Sequence, residues 1–487
     1  MNLKQKAFVG LVWSIIQNSG NQVFSVIIFA VLARLLTPET FGLIALANVF
    51  LAFMQIFLDQ GFTKAVIQRQ DLEPEHLNAA FWSQVISGFL LTITTFLSAG
   101  LVAEFFRQPK LIPILQYLSL IFIINSLSRI HNALLSREFA FKIIAMRSLW
   151  ATVIGGIVGI VMAYNNYGVW SLVFFNITSE LVGLVVIWKA IDWRPKLQFS
   201  RQHFRDLYGF SMYVFAFKFV KFFDKRSDNL LIGYFLGEVA LGYYAIAYRI
   251  LEVMTQLLVK TADKVALPTF SRLQTEPERF CQLFCQTTKF TSLIAFPTYL
   301  GVIVFAPELI VTLFGEQWIP ATLAMQILAL EGILLSVSLF HKSVFVSMGK
   351  PSWSLKVVLL HATANLIACL IAVKSGIVAV AVAYVISSYL VFPVSQWAVN
   401  KLIKIELTIY LKQFITPVVS SAITLVVILT IRHFLLDIIA AKLLIIVGAS
   451  SGILVYALCV RILEPPLFKQ VWQFIKSATF NKKQAIN

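Results

Sequence analysis

Residues 208–265 read YGFSMYVFAFKFVKFFDKRSDNLLIGYFLGEVALGYYAIAYRILEVMTQLLVKTADKV. They form two apolar segments joined by a turn at Leu236-Gly237-Glu238, and both carry charges where a membrane helix should have none. At about 100° per residue, Lys218, Lys221, Lys225, Asp228 and Asn229 share an arc of about 100° on the first helix, with Asp224 and Arg226 close by. Arg249, Glu252, Gln256, Lys260 and Asp263 share an arc of about 80° on the second. A charge at bilayer depth costs at least about 2.5–3.5 kcal/mol. So many charges on two helices are tolerable if both stripes face a common wet cavity. Lys218, Lys221, Lys225, Arg249 and Lys260 are then expected to hold an anionic cargo. Asp224, Asp228, Glu252 and Asp263 would balance the empty site, and one of them would bind a coupling cation.

The rest of the chain fits this membrane setting. It has 487 residues, 59% hydrophobic and only 13% charged, against about 25% charged in a soluble domain. Apolar runs recur throughout, which predicts an all-α integral membrane protein. Fourteen spans fit, at roughly 8–33, 42–66, 79–103, 111–134, 144–164, 168–189, 208–234, 240–265, 286–314, 320–346, 353–374, 377–399, 412–432 and 440–462. The start resembles a signal n-region, but its apolar run continues to Ala33, so it is read as the first anchor. With both termini cytoplasmic, about 25 Lys and Arg fall inside and about 6 outside. The net charge of +17 is therefore mostly a topology signal, and nucleic acid is not an expected partner.

The two halves repeat. Displaced by 200 residues, Leu36, Gly42, Ala45, Ala47, Leu51, Met54, Leu58 and Lys64 fall on Leu236, Gly242, Ala245, Ala247, Leu251, Met254, Leu258 and Lys264. Displaced by 210, Gln116 and His131 fall on Gln326 and His341. Both shifts equal six spans, and an even number makes the repeat parallel, about an axis along the membrane normal. The expected organisation is an N-lobe at 1–190, a basic cytoplasmic linker at 191–206 and a C-lobe at 207–400. Two extra spans at 401–463 and an interfacial cytoplasmic tail at 464–487 follow.

Other polar groups lie along the apolar spans. Asn18, Asn21, Gln22 and Ser25 form a stripe on span 1, open to two readings: cavity lining or hydrogen bonding between helices. Asp59 and Lys64 sit near the inner end of span 2, as a local ion pair or as cavity groups. Glu331 is a lone carboxylate in span 10, either a buried protonated acid or a coupling site. Glu73-Pro74-Glu75 reads as a helix start. Gly155 and Gly159, and Gly448 and Gly452, are spaced for close helix packing. Pro297 and Pro307 are expected to bend span 9. Residues 278–290 are expected to lie on the inner surface, with Phe280, Leu283 and Phe284 on one face.

Enzymatic motifs do not occur. The sequence has no phosphate-cradling Walker loop, no H-E-x-x-H and no G-x-S-x-G. The six histidines are scattered singly, so no metal site and no cofactor are expected, and four cysteines give no disulfide framework. Transport driven by an ion gradient, by the membrane potential or by downhill flow of cargo is the expected activity.

Several phrases resemble the Wzx-type polysaccharide flippases, in the branch of the colanic-acid and teichuronic-acid exporters. They are LARLLTPETFGL at 32–43, DQGF at 59–62 with AVIQR at 65–69, and DNLLIG at 228–233 with LG at 236–237 and LGYY at 241–244. PEL at 307–309, FGEQW at 314–318 and GKPSW at 349–353 complete the set. That family shares a superfamily with the multidrug MATE exporters and the lipid II flippase. The resemblance implies a two-lobed bundle of fourteen helices in a bacterial inner membrane, with spans 1, 2, 7 and 8 lining a cavity. Its implied cargo is an undecaprenyl-pyrophosphate-linked oligosaccharide, moved by alternating access beside the polysaccharide polymerase and chain-length machinery. A cation-coupled drug exporter of the same superfamily is the alternative. Its cargo would want a cavity dominated by carboxylates and aromatics.

Overall fold

Backbone polar groups in a bilayer must bond within their own segment, and the apolar runs of this chain become helices accordingly. The computed structural model describes residues 20–58, 62–69, 71–198, 200, 202–203, 211–258, 260–436, 438–466 and 468–469. The side chains of 64, 211–214, 257, 258 and 260–265 lie outside that description. The first half contains α1 (Gly20–Leu35), α2 (Pro38–Leu58), α3 (Phe62–Gln68), α4 (Pro74–Phe105), α5 (Leu111–Arg137), α6 (Phe141–Tyr164) and α7 (Val169–Ala190). The charged stretch forms α8 (Ser211–Phe235), α9 (Gly237–Leu258) and α10 (Lys260–Arg272). Then come α11 (Pro277–Val304), α12 (Ala306–Leu313), α13 (Thr322–Ser338), α14 (His341–Ser347), α15 (Pro351–Ala372), α16 (Ile377–Ile403), α17 (Leu407–Lys412), α18 (Ile415–Leu435) and α19 (Ala441–Leu463).

Eleven spans among the described residues are long and apolar enough to cross a membrane. They coincide in order with expected spans 2 to 6 and 9 to 14. The other three correspond to α1, of which 16 residues or fewer are described, and to the charged α8 and α9. The chain is a multi-pass helical membrane protein.

Contacts divide the chain into two units. The first comprises 1–253, 313–321 and 355–387; the second comprises 254–312, 322–354 and 388–487. In the first unit, helix pairs are drawn together by small residues, as packing in lipid requires. A methyl on Gly155 would overlap the Ser179 hydroxyl, and one on Gly159 would press on Phe175, so α6 and α7 touch along the spacing read from sequence. Helix α4 starts where Glu73-Pro74-Glu75 indicated. Pro74 occupies its first turn, and the Glu73 N–H donates to His76 Nδ1 at 3.3 Å. Its polar residues bond inward: Thr92 Oγ1 donates to the carbonyls of Gly88 (3.0 Å) and Ser119 (2.9 Å).

Also in the first unit, the ends of α1, α2 and α9 meet the segment 313–321. The last carbonyls of α1 lack helical donors. The buried Trp318 indole donates to Ala33 O at 2.8 Å, and Gln317 Nε2 donates to Ala33 O at 2.7 Å and Leu36 O at 3.1 Å. Phe41 lies edge-on between Phe29 and Trp318, at 5.3 Å from each. Arg34 donates from Nε to Leu313 O at 3.1 Å. Lys110 bonds Glu39 at 2.6 Å, and that hydrogen bond, aided by the carboxylate's charge, holds the ammonium above its ordinary range.

The repeat is written into this junction. A methyl on Gly42 would overlap the backbone carbonyl of Glu238, and a methyl on Gly242 would overlap that of Pro38. Positions 38 and 42 map onto 238 and 242 under the 200-residue displacement. Each helix therefore crosses the other at the same two positions, as a two-fold relation between the segments demands. Gly237, at φ +83°, makes the turn that starts α9.

In the second unit, α11 runs unbroken through Pro297, and Pro307 sits in the first turn of α12, where its missing N–H costs nothing. The segment expected on the inner surface is the first part of α11. Phe280 and Phe284 are buried, with Phe270 at 5.0 Å from Phe280 and Tyr410 at 5.9 Å from Phe284, because those rings offer protein packing for the apolar face. Gly448 lies against Phe305 and Gly452 against Ile428, which seats α19 on α18 and the end of α11. Buried Glu308 accepts from Arg432 at 2.9 Å.

Overpacking a tight crossing costs roughly 1–3 kcal/mol. Gly42→Val and Gly242→Val should each lower the melting temperature of the purified protein. Gly100→Val, at a position with open space within 4 Å, should leave it unchanged.

Candidate functional site

Helix α8 has an apolar face and a charged one. Phe215, Phe219, Phe222 and Phe223 follow an i, i+4, i+7, i+8 pattern and pack toward α2, with Phe57–Phe215 at 5.4 Å and Phe53–Phe222 at 5.5 Å. That packing fixes the rotation of α8. Lys218 and Lys221 are half-buried, with the Lys221 ammonium 5.9 Å from the Phe217 ring, and Lys225 is exposed.

The carboxylates of α8 turn into protein. Asp228 is 1% exposed; Tyr244 OH donates to it at 2.8 Å and the Asn229 N–H at 2.7 Å. A buried carboxylate needs such donors to avoid a heavy desolvation cost. Asp224 Oδ1 lies 2.5 Å from His361 Nδ1 on α15. One turn further along α15, Asn365 Nδ2 donates to Ser227 Oγ at 3.1 Å and to Asp224 O at 3.4 Å. The five lysines and arginines at 218–252 in α8 and α9 thus outnumber the four carboxylates Asp224, Asp228, Glu238 and Glu252, and Asp224 and Asp228 have partners other than lysine or arginine.

On α9, Arg249 is braced from three sides. Its Nη1 donates to Glu252 at 2.9 Å, its Nη2 donates to Ser25 Oγ of α1 at 2.7 Å, and its guanidinium stands 5.1 Å from the Phe29 ring. Its Nε–H is buried with no acceptor among the described residues. This is a pre-oriented planar cation with a spare donor, suited to bidentate recognition of phosphate oxygens. The span 1 stripe divides between the two readings: Ser25 supports Arg249, whereas Asn21 Oδ1 accepts from Thr152 of α6 at 2.5 Å.

The remaining expected site residues are dispersed. Gln256 is half-buried in the second unit. Glu331 is buried there, between Leu330, whose carbonyl accepts from Tyr389 at 3.0 Å, and Gly332, which lies against the Tyr299 ring. Asn18 and Asp59 fall outside the described residues, as do the side chains of Lys64, Lys260 and Asp263.

Sequence reading missed His361, Asn365 and Tyr244. The signal was present: His361 and Asn365 stand at i, i+4 in a span read as apolar, on one helix face. It also missed the approach of Glu73, His76 and His203, whose potential metal-ligand atoms lie within 4.8 Å of one another. Two of these atoms are already engaged: His203 Nε2 lies 2.9 Å from Glu73, and His76 Nδ1 takes the Glu73 N–H. The trio makes a helix cap with a hydrogen bond between His203 and Glu73. Beside α8, an apolar groove of about 310 Å³ is lined by Val49, Phe53, Leu101, Phe105, Phe222 and Leu230 among others.

Comparison with known proteins bears on the family and the fold. The family model described as "Polysaccharide biosynthesis protein" matches residues 31–323. The teichuronic acid biosynthesis protein TuaB of Bacillus subtilis (strain 168) is 24% identical over 466 residues, covering 93% of this chain and 95% of that protein. The succinoglycan biosynthesis transport protein ExoT of Rhizobium meliloti (strain 1021) is 27% identical over 329 residues, covering 67% of each. Among solved structures, the lipid II flippase MurJ in an inward closed conformation superposes with a TM-score of 0.78 over 94% of this chain and 99% of that one. At 16% identity that likeness is one of fold.

Losing the Tyr244 hydroxyl leaves Asp228 short of a donor, at a cost of about 1–3 kcal/mol. Tyr244→Phe should therefore lower the melting temperature by several degrees, and Tyr164→Phe, at an exposed ring, should not.

Proposed function

The chain belongs to the family of polysaccharide biosynthesis proteins, and on that footing we propose that it moves lipid-linked oligosaccharide units across the bacterial cytoplasmic membrane. In this reading it is a transporter and not an enzyme, with fourteen spans and both termini in the cytoplasm. The observation that carries the reading is Arg249: a guanidinium in an apolar helix, braced by Glu252 and Ser25, with a buried Nε–H that has no acceptor among the described residues. Such a group is matched by an anionic head group that presents several oxygens, as a diphosphate does. Lys218, Lys221 and Lys225 on α8 add positive charge for the same group, with Lys260 next along the chain. The polyprenyl chain stays in lipid while the head group and its sugars enter the protein.

Alternating access follows from the repeat. With the termini inside, the junction of α1, α2, α9 and 313–321 lies at the outer face. Its crossing at Gly42 and Gly242 is the contact that must part for release. Downstream, the delivered unit is the substrate for a polymerase and its chain-length machinery. The cationic surplus of α8 and α9 weighs against a cationic drug as cargo.

Arg249→Glu should abolish polymer export while the protein still reaches the membrane. Arg249→Lys should keep a charge but lose the planar fork; a lost charge-assisted bond of about 1.5–3 kcal/mol predicts export reduced at least about tenfold. Both are checked by complementing a deletion strain and measuring surface polymer and accumulated lipid-linked repeat units. Normal export by Arg249→Glu would remove the site from this account.

A further inference from the structure

Glu73, His76 and His203 make a poor helix cap and a coherent donor set. As a cap, the Glu73 N–H reaches His76 Nδ1 at 3.3 Å, past the usual range of about 2.7–3.2 Å. As donors, two imidazoles and one carboxylate each offer one ligand atom, and the three atoms lie within 4.8 Å of one another. Glu73 Oε2 is 2.9 Å from His203 Nε2 and 3.9 Å from His76 Nδ1, so one carboxylate oxygen is close to both rings. The rings themselves meet edge-on at 4.3 Å.

The fold brings these side chains together from two directions. Glu73 and His76 stand three apart at the start of α4, where Pro74 fixes the backbone, so both lie on one side of the first turn. His203 comes from the linker that leaves α7. That linker is pinned to α4: the Trp82 indole donates to Lys196 O at 2.8 Å, and the Lys196 N–H donates to Asn78 Oδ1 at 3.0 Å. Trp193 meets Phe81 edge-on at 5.9 Å. Ser200 orients the His203 ring, with its Oγ 2.5 Å from Nδ1, the nitrogen turned away from Glu73. A bond to the far nitrogen is what aims a metal-binding histidine. The His76 side chain is 2% exposed, His203 22% and Glu73 62%, so an ion can enter from water on the Glu73 side.

We propose that Glu73, His76 and His203 bind a zinc ion. Zinc takes imidazole nitrogen at about 2.0–2.1 Å and carboxylate oxygen at about 2.0–2.2 Å in a tetrahedron, which sets neighbouring ligand atoms about 3.3–3.5 Å apart. The observed 2.9 and 3.9 Å straddle that separation, and shifts of about 0.5 Å bring both to it. Zinc replaces the hydrogen bonds that join the three residues, and water fills the fourth position. Magnesium and calcium favour shells of oxygen and do not match two imidazoles. Asp71 and Glu75 flank the site in sequence and add negative charge for a dication. The bound ion fastens residue 203 to the start of α4, shortly before the chain enters α8. Zinc binding needs no cargo and is separable from the function proposed above.

The test uses the full chain without a polyhistidine tag, in lipid nanodiscs and stripped of metal with EDTA. Zinc is titrated in competition with a chromophoric chelator. The wild type should bind one zinc ion per chain. His203→Ala and Glu73→Gln, both at partly exposed side chains, should each bind it at least about tenfold more weakly. Their melting temperatures without metal should match the wild type, and saturating zinc should raise that of the wild type alone. Cobalt(II) at the wild-type site should give the intense visible bands of a four-coordinate ion, a readout that needs no variant to fold. Zinc binding by the wild type no tighter than by the two variants overturns the proposal, and so does a cobalt spectrum of a six-coordinate, hydrated ion.

Discussion

Charge at bilayer depth is the constraint on which this structure depends. Each ionised group left unpaired there costs several kcal/mol, so its partners are part of the fold. Asp228 is held by Tyr244, Asp224 by His361 and Glu308 by Arg432. Arg147 donates to Gly183 O at 3.2 Å and faces Glu180 at 3.8 Å. Arg249 differs from these. It is braced by Glu252 and Ser25 and still has a donor with no acceptor among the described residues, which is what an anionic cargo would use.

A second constraint comes from the repeat. Two segments that cross at equivalent positions must have the same small residue at both, since a side chain on either meets a carbonyl of the other. Gly42 and Gly242 meet this requirement against Glu238 and Pro38. The crossing is tight, with Trp318 and Gln317 capping the carbonyls of α1 beside it and the exposed Lys110–Glu39 pair at its edge. A closure made of packing, backbone-capping hydrogen bonds and an ion pair already exposed to solvent can open without exposing a buried charge. A transporter that cycles between two states needs that property.

Much of this was legible in the sequence, for physical reasons that differ by feature. Helix positions followed from apolar runs of bilayer length, and the glycine register of the repeat from a gapless displacement. The start of α4 followed from Glu73-Pro74-Glu75 and was found there. The stripes on α8 and α9 were visible as angles, but an angle does not name a partner. Asp228 shares an arc with Lys221 and Lys225, yet it is buried against Tyr244, because a carboxylate at the helix's packed end can find a phenol there. The Asp224–His361 contact joins residues from spans 7 and 11 and has no local signature beyond the i, i+4 spacing of His361 and Asn365. The segment at 278–290 was misread as a surface helix because an amphipathic face looks the same whether lipid or protein covers it. Phe270 and Tyr410 supply the protein.

The central claim is that this chain alone carries a lipid-linked, negatively charged head group from one leaflet to the other. The most direct measurement places the purified protein in liposomes loaded with a lipid-linked oligosaccharide, then adds a glycosidase outside. If the claim holds, the cleaved fraction rises from the outer leaflet's share to nearly all of the lipid within the time of the assay. A cleaved fraction that stays at the level of protein-free liposomes, with folded protein present in both orientations, would contradict it.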